Sequence, residues 1–195
     1  DDLRFVSDVE KGQCVSYVWR GKEMLKDGKG PELNLWRPVT DNDYGNGMHR
    51  KNIAWKYATA MKELREYSIR NVDEQTIELV QEFWLPAVET TFETKYHIHG
   101  SGIVQVSSTL SPTEHKYDIP RIGMRMQVSR DYDQLRFYGR GPFENYQDRK
   151  ASAFVGVYNS SVSDQYVPYI RPQENGYKVD TRWFAVLDED HNGLL

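Results

Sequence analysis

Apolar and polar residues alternate at every second position through most of the chain. Residues 14–19, 76–84 and 89–98 each read as a strand with one buried face. Further β-rich runs at 102–110, 119–129, 134–138, 153–158 and 176–187 extend the pattern. Turn chemistry at Asp27-Gly28, Ser111-Pro112, Asn159-Ser160 and Asn192-Gly193 separates them. One window departs from period two. Over 52–64 there is no Gly or Pro, and Ile53, Tyr57, Ala60, Met61 and Leu64 recur every three or four positions, which predicts a single inserted helix with those residues as its buried stripe.

Residues 183–187 read as a strand and 188–193 as a hairpin turn carrying Asn192-Gly193, a strong hairpin signal. Leu194 and Leu195 then read as the start of a partner strand. With no linker, repeat or low-complexity tract, the expectation is one antiparallel all-β domain over 1–195, incomplete at its C-terminal end.

Composition narrows the function classes. Acidic and basic residues are interspersed and sum to a net charge of -4, with no basic stripe for a phosphate backbone, so nucleic acid is excluded as a partner. No apolar run reaches the roughly 20 residues needed to span a bilayer, and a soluble cytoplasmic or periplasmic protein is expected. The only cysteine is Cys14, which rules out an intrachain disulfide and a cysteine-based metal site. His97 and His99 lie at strand spacing on one face, and without further ligands they read as residues of a wet sheet surface.

Three polar clusters interrupt the alternation. The first, 34–45, puts Arg37, Asp41, Asn42 and Asp43 after a strand, where Asp and Asn side chains bond nearby backbone N–H groups and shape turns. The second, 139–149, combines Gly139, Gly141 and Pro142 with Glu144, Asn145, Asp148 and Arg149. The third, 166–176, contains Pro168, Pro172, Glu174 and Asn175. The first reads either as a salt-bridged corner or as a polar rim for sugar hydroxyls, with Trp36 or Tyr44 as a flat face for a pyranose ring, and the second as a corner or a site. Glu144 with Asp148 or Glu174 has the residue types of a glycosidase carboxylate pair. The neighbouring Arg140, Arg149 and Arg171 favour ionised, salt-bridged carboxylates over a raised acid.

The order Trp36-Arg37-Pro38-x-x-Asp41-Asn42-Asp43, Gly139-x-Gly141-Pro142-x-Glu144-Asn145-Tyr146-x-Asp148-Arg149, Tyr166-x-x-Pro168-Tyr169-x-x-Pro172-x-Glu174-Asn175-Gly176 resembles the small-chain β-sandwich domain of glycoside hydrolase family two β-galactosidases. The resemblance runs from about Leu33 to Val186. It implies a large antiparallel supersandwich of the galactose-mutarotase type with one short inserted helix. It also implies a parent enzyme whose catalytic glutamates lie in a preceding barrel, so no catalytic or metal-ligating residue is assigned to this chain. Magnesium and sodium are implied near the parent's active site, and the implied partners are the parent's other domains, its β-galactoside substrate and, for a homo-oligomeric parent, further copies. Arg37, Asp41, Asn42, Asp43, Glu144, Asn145, Arg149, Glu174 and Asn175 are the candidates for a role at the substrate cleft or a domain interface.

Three functional readings follow. The chain is a non-catalytic part of a β-galactosidase, a carbohydrate-binding sandwich module, or a stand-alone aldose mutarotase. The last would need a histidine and a carboxylate facing each other across the sandwich, with His97, His99 and His115 available.

Overall fold

The computed structural model describes residues 2–112 and 118–195. It is an all-β architecture of antiparallel sheets with a few short helices, in two compact units. The chain up to Pro38, together with Gly45–Val128, makes the first unit; Val39–Tyr44 and Ser129–Leu195 make the second. The boundary carries no linker composition because the chain enters the second unit for six residues and returns.

In the first unit β1 (Leu3–Asp8), β2 (Gln13–Trp19) and β3 (Lys22–Glu23) form a small antiparallel sheet. β4 (Glu32–Asn34) follows; α1 (Asp41–Asn46) begins in residues of the second unit, and the short helices α2 (Met48–Lys51) and α3 (Ile53–Ala58) belong to the first. The main sheet is a meander of β5 (Glu63–Asn71), β6 (Thr76–Leu85), β7 (Thr90–His99) and β8 (Val104–Pro112). β9 (Gly123–Arg125) returns to pair with β4.

The predicted alternation is realised most fully on β6 and β7. Leu79 faces Tyr96, Gln81 faces Thr94, Phe83 faces Phe92 and Leu85 faces Thr90, all buried on one side. Phe83 and Phe92 stack with ring centroids 6.3 Å apart. The buried amide of Gln81 donates to the Ser7 hydroxyl at 3.1 Å, so the polar group on this face is satisfied by β1. Leu33, Leu35, Trp55 and Ala58 complete the core against Phe83, Leu85 and Phe92.

The helical expectation is corrected in number, length and phase. Three short helices replace the single one, and Leu64 belongs to β5. Ile53, Tyr57 and Met61 are exposed, whereas Trp55 and Ala58 face the core. The periodicity misled because Met61 and Leu64 belong to the turn and strand that follow α3, while the core contact is made by the side chains of Trp55 and Ala58.

Other boundaries also moved. Asn159-Ser160 lies inside a strand, Ser111-Pro112 closes β8, and 119–129 yields only β9 plus a single bridge from Val128 to Leu25. β1 and β5 were not anticipated. β5 carries four charged residues among nine and shows little alternation.

The second unit is a four-stranded sheet in the order β11 (Phe154–Ser161), β10 (Gln134–Gly141), β12 (Trp183–Leu187), β13 (Gly193–Leu194). The hairpin expected at Asn192-Gly193 is present. Asp188 Oδ1 accepts from the N–H groups of Asp190 and Asn192, and His191 takes the positive φ of 61°. Of 176–187 only β12 is strand; the rest packs irregularly against the polar clusters. No described helix is long and apolar enough to cross a membrane.

Two outcomes test this packing. Trp55→Ala should lower the unfolding free energy by about 3–5 kcal/mol and Met61→Ala by less than about 0.5 kcal/mol, read from urea midpoints at constant slope. Burial pushes the Cys14 thiol up to about 12, so it should resist alkylation at pH 8 in the folded chain and react promptly once unfolded by urea.

Candidate functional site

The second unit places two of the polar clusters against each other. β10 ends in Gly139, Arg140 and Gly141, and close approach explains both glycines. A Cβ on Gly139 would lie 2.9 Å from the Thr181 backbone, and one on Gly141 would lie 2.8 Å from the Tyr158 ring. Arg140 Nε donates to Asp180 at 2.6 Å, and its Nη1 donates to the carbonyls of Lys150 and Ala153, fixing the chain on both sides of the corner.

Asn145 is fully buried and fully used. Its amide nitrogen donates to the carbonyls of Arg140 (3.0 Å) and Phe143 (3.2 Å), its carbonyl oxygen accepts from Val179 N–H (3.0 Å), and its own N–H donates to Tyr177 O (2.8 Å). In this way one side chain closes its own corner and ties it to residues 177–179. Tyr146 packs edge-on against Tyr177 beside it, with ring centroids 5.0 Å apart.

Glu144, also buried, accepts from three donors: Arg149 Nη2 at 2.5 Å, the Tyr169 hydroxyl, and Gly176 N–H at 2.8 Å. Burial alone pushes the carboxyl up. The bonds from Tyr169, Arg149 and Gly176, with the arginine charge, outweigh it and hold the carboxyl below the ordinary glutamate value. Arg149 also donates to the Tyr169 hydroxyl at 3.2 Å. Glu144 therefore joins the second cluster to both ends of the third.

The third cluster is clamped further. The Asn175 side chain accepts from Val167 N–H at 3.1 Å and donates back to Val167 O, pairing with that backbone as a neighbouring strand would. Arg171 donates to Asp41 Oδ1 at 3.3 Å, and Asp41 N–H donates to Pro172 O at 2.9 Å.

Of the first cluster, Asp43 is buried in a reciprocal cap. It accepts from Thr40 N–H and Oγ1, both at 2.9 Å, and its own N–H donates to Thr40 Oγ1 at 3.3 Å, which starts α1. Asn42 is exposed, and Glu174 is half-buried. Arg37 lies in the first unit, on a groove of about 590 Å³ shared with Trp36, Trp55 and Arg121. Trp36 leans on the hydrophobic core and Tyr44 is exposed.

Glu144, Asn145, Arg149 and Asn175 are thus brought into one network, with Asp41 attached through Arg171. Tyr169, Gly176, Val179 and Asp180 belong to it and were not singled out from the sequence. Tyr169 and Gly176 stand within the third motif, so the only available signal was membership of that motif.

Among the described residues no group of three His, Cys, Asp or Glu side chains converges as a metal site. Asp41 Oδ1 is engaged by Arg171, and Asp43 Oδ2 by Thr40. His97 bonds Glu78 at 3.0 Å on the same sheet, and Glu78 is shared with Arg70 at 2.5 Å, one residue from each of three adjacent strands. His99 bonds Ser101, and His115 lies outside the described residues. The pair that does form, His97 and Glu78, lies side by side rather than opposed across a sandwich.

Because the Glu144 carboxyl titrates below its ordinary value, its stabilisation is fully present above about pH 4.5 and is lost as pH falls through the lowered value. Glu144→Gln should cost about 1–3 kcal/mol at pH 7. The gap between the two unfolding curves should hold down to about pH 5 and close below pH 4.5, measured by urea denaturation across that range.

The chain matches the β-galactosidase small-chain family over residues 1–194. It is 35% identical over 97% of its length to a β-galactosidase of Priestia megaterium, 32% over 92% to one of Lactobacillus delbrueckii subsp. bulgaricus, and 31% over 96% to one of Kluyveromyces lactis. It spans 18%, 18% and 19% of those proteins, about a fifth of the length of the curated relatives it matches. On this match, which takes in all three polar clusters and the strands that carry them, the chain belongs to the β-galactosidase small-chain family.

Proposed function

We propose that these residues form a non-catalytic part of a β-galactosidase that hydrolyses terminal β-linked galactose, supplying scaffold, domain interface and part of the cleft wall. The observation that carries this reading is the state of Glu144. A retaining glycosidase needs one carboxylic acid kept protonated near neutral pH and a second carboxylate about 5–5.5 Å away as nucleophile. Glu144 is the buried carboxylate of the clusters best placed to look catalytic, and three donors hold it ionised. Asp43 is spent on a helix cap and Asp41 on Arg171. These groups position backbone; they do not move protons to a glycosidic oxygen.

The reading assigns bond cleavage, any magnesium or sodium, and the nucleophile to the remaining domains of the parent, with which this segment packs. Its contribution to rate is geometric, through holding loops rigidly against the cleft, where misplacement by about 1 Å costs on the order of a hundredfold. Relatives carrying the name β-galactosidase support the substrate class.

The test is turnover of a nitrophenyl β-galactoside by the full-length parent and by residues 1–195 alone. Turnover is expected from the parent only, and robust hydrolysis by the isolated chain would sink the proposal. Glu144→Gln in the parent is expected to lower thermal stability and to leave the pH–rate profile in place, since the group is not the titrating acid.

A further inference from the structure

Within residues 166–176 the backbone is tethered at several points, and Ile170 is the most exposed of the apolar side chains. Val167 is held at both its N–H and its carbonyl by Asn175, Tyr169 is bonded to Glu144 and Arg149, Arg171 to Asp41, and Pro172 O to Asp41 N–H. Pro168 and Pro172 restrict the backbone further. Between these tethers Ile170 is fully exposed, and Tyr166, at the start of the loop, is exposed as well. A β-branched apolar residue fixed at the apex of an immobilised loop is arranged as a binding anchor. Its ordering cost is already met by the clamps, and rigid apolar anchors seated in pockets dominate interfaces.

The geometry points to Ile170 as the central contact of a domain interface, seated in an apolar pocket on the part of the parent β-galactosidase outside these residues. The inference rests on the proposed function and names the partner of that surface. Two observations choose the occupant. Ile170 is the most exposed large apolar side chain among the described residues and carries no hydrogen-bonding group of its own, so it suits an apolar pocket rather than a sugar. The chain spans 18% of its Priestia and Lactobacillus relatives, so most of the parent's surface is tethered to Ile170 at high effective concentration.

The test is hydroxyl-radical footprinting of the full-length parent, comparing oxidation of Ile170 in the native and the urea-unfolded protein. Native oxidation is expected to be at least about tenfold slower, as for a desolvated interface centre. It should not change with dilution or with a bound galactose analogue. Ile170→Asp should lower the parent's melting temperature by several degrees, while Ile170→Met, which keeps an apolar side chain, should leave it nearly unchanged. Native and unfolded rates within about twofold of each other would overturn the inference, because the side chain would then be open to water. Protection that disappears on dilution would assign the contact to a second copy, and protection seen only with the galactose analogue would assign it to the cleft; either result overturns the inference. A galactoside assay on the same sample separates the two failures: loss of protection in an active parent refutes the anchor alone, and an inactive parent refutes the function beneath it.

Discussion

The second unit depends on two adjacent side chains, Glu144 and Asn145, that are both buried and both saturated with hydrogen bonds. Burying polar groups is costly unless each is paired, and these two are paired with backbone and side chains some 25 to 34 residues further along the chain. The consequence is coupling. The corner after β10 takes its shape together with Tyr169, Gly176 and Val179, and the irregular stretch before β12 is held by side-chain bonds from Asn145, Glu144 and Arg140. A sheet of four strands, one of them two residues long, is made specific by a polar pair at its side.

The first unit is held differently. Its order comes from apolar cross-strand pairs on β6 and β7, closed by Trp55 and Ala58 of α3, and its one deeply buried amide, Gln81, is satisfied by β1. This contrast explains which parts of the structure were legible in the sequence. β6, β7 and β10 were readable because one face of each is buried and period two survives. β5 was not, because a strand carrying Glu63, Arg65, Glu66 and Arg70 shows no apolar face to count. The helix was placed near its true position but with the wrong face inward, since a stripe of exposed Ile53, Tyr57 and Met61 mimics amphipathicity while the contact is made by one Trp and one Ala. Asn159-Ser160, polar and turn-like in composition, is carried inside β11 by its pairing with Leu135 and Arg136.

The candidate site was legible as a set of motifs but not as geometry. Residue types alone allow both corner and sugar rim, because Glu, Asn and Arg serve both, and the neighbouring arginines favour the corner. What decides between them is donor count. A carboxylate with three donors is an ionised structural anchor, and a fully buried asparagine whose side-chain nitrogen and oxygen are both engaged is closed to a ligand hydroxyl. Those counts depend on Tyr169, Gly176 and Val179, whose backbone and phenol positions no spacing rule announces.

The same counting separates identity from catalysis. The second and third clusters spend their hydrogen bonds largely on one another and so specify a corner. A catalytic carboxyl needs the opposite condition: a lone pair or proton left available to substrate, and surroundings that do not settle its charge in advance. Glu144 fails that condition through the interactions that make it indispensable to the fold. On physical grounds the second and third clusters are therefore better suited to holding loops in place than to cutting a sugar.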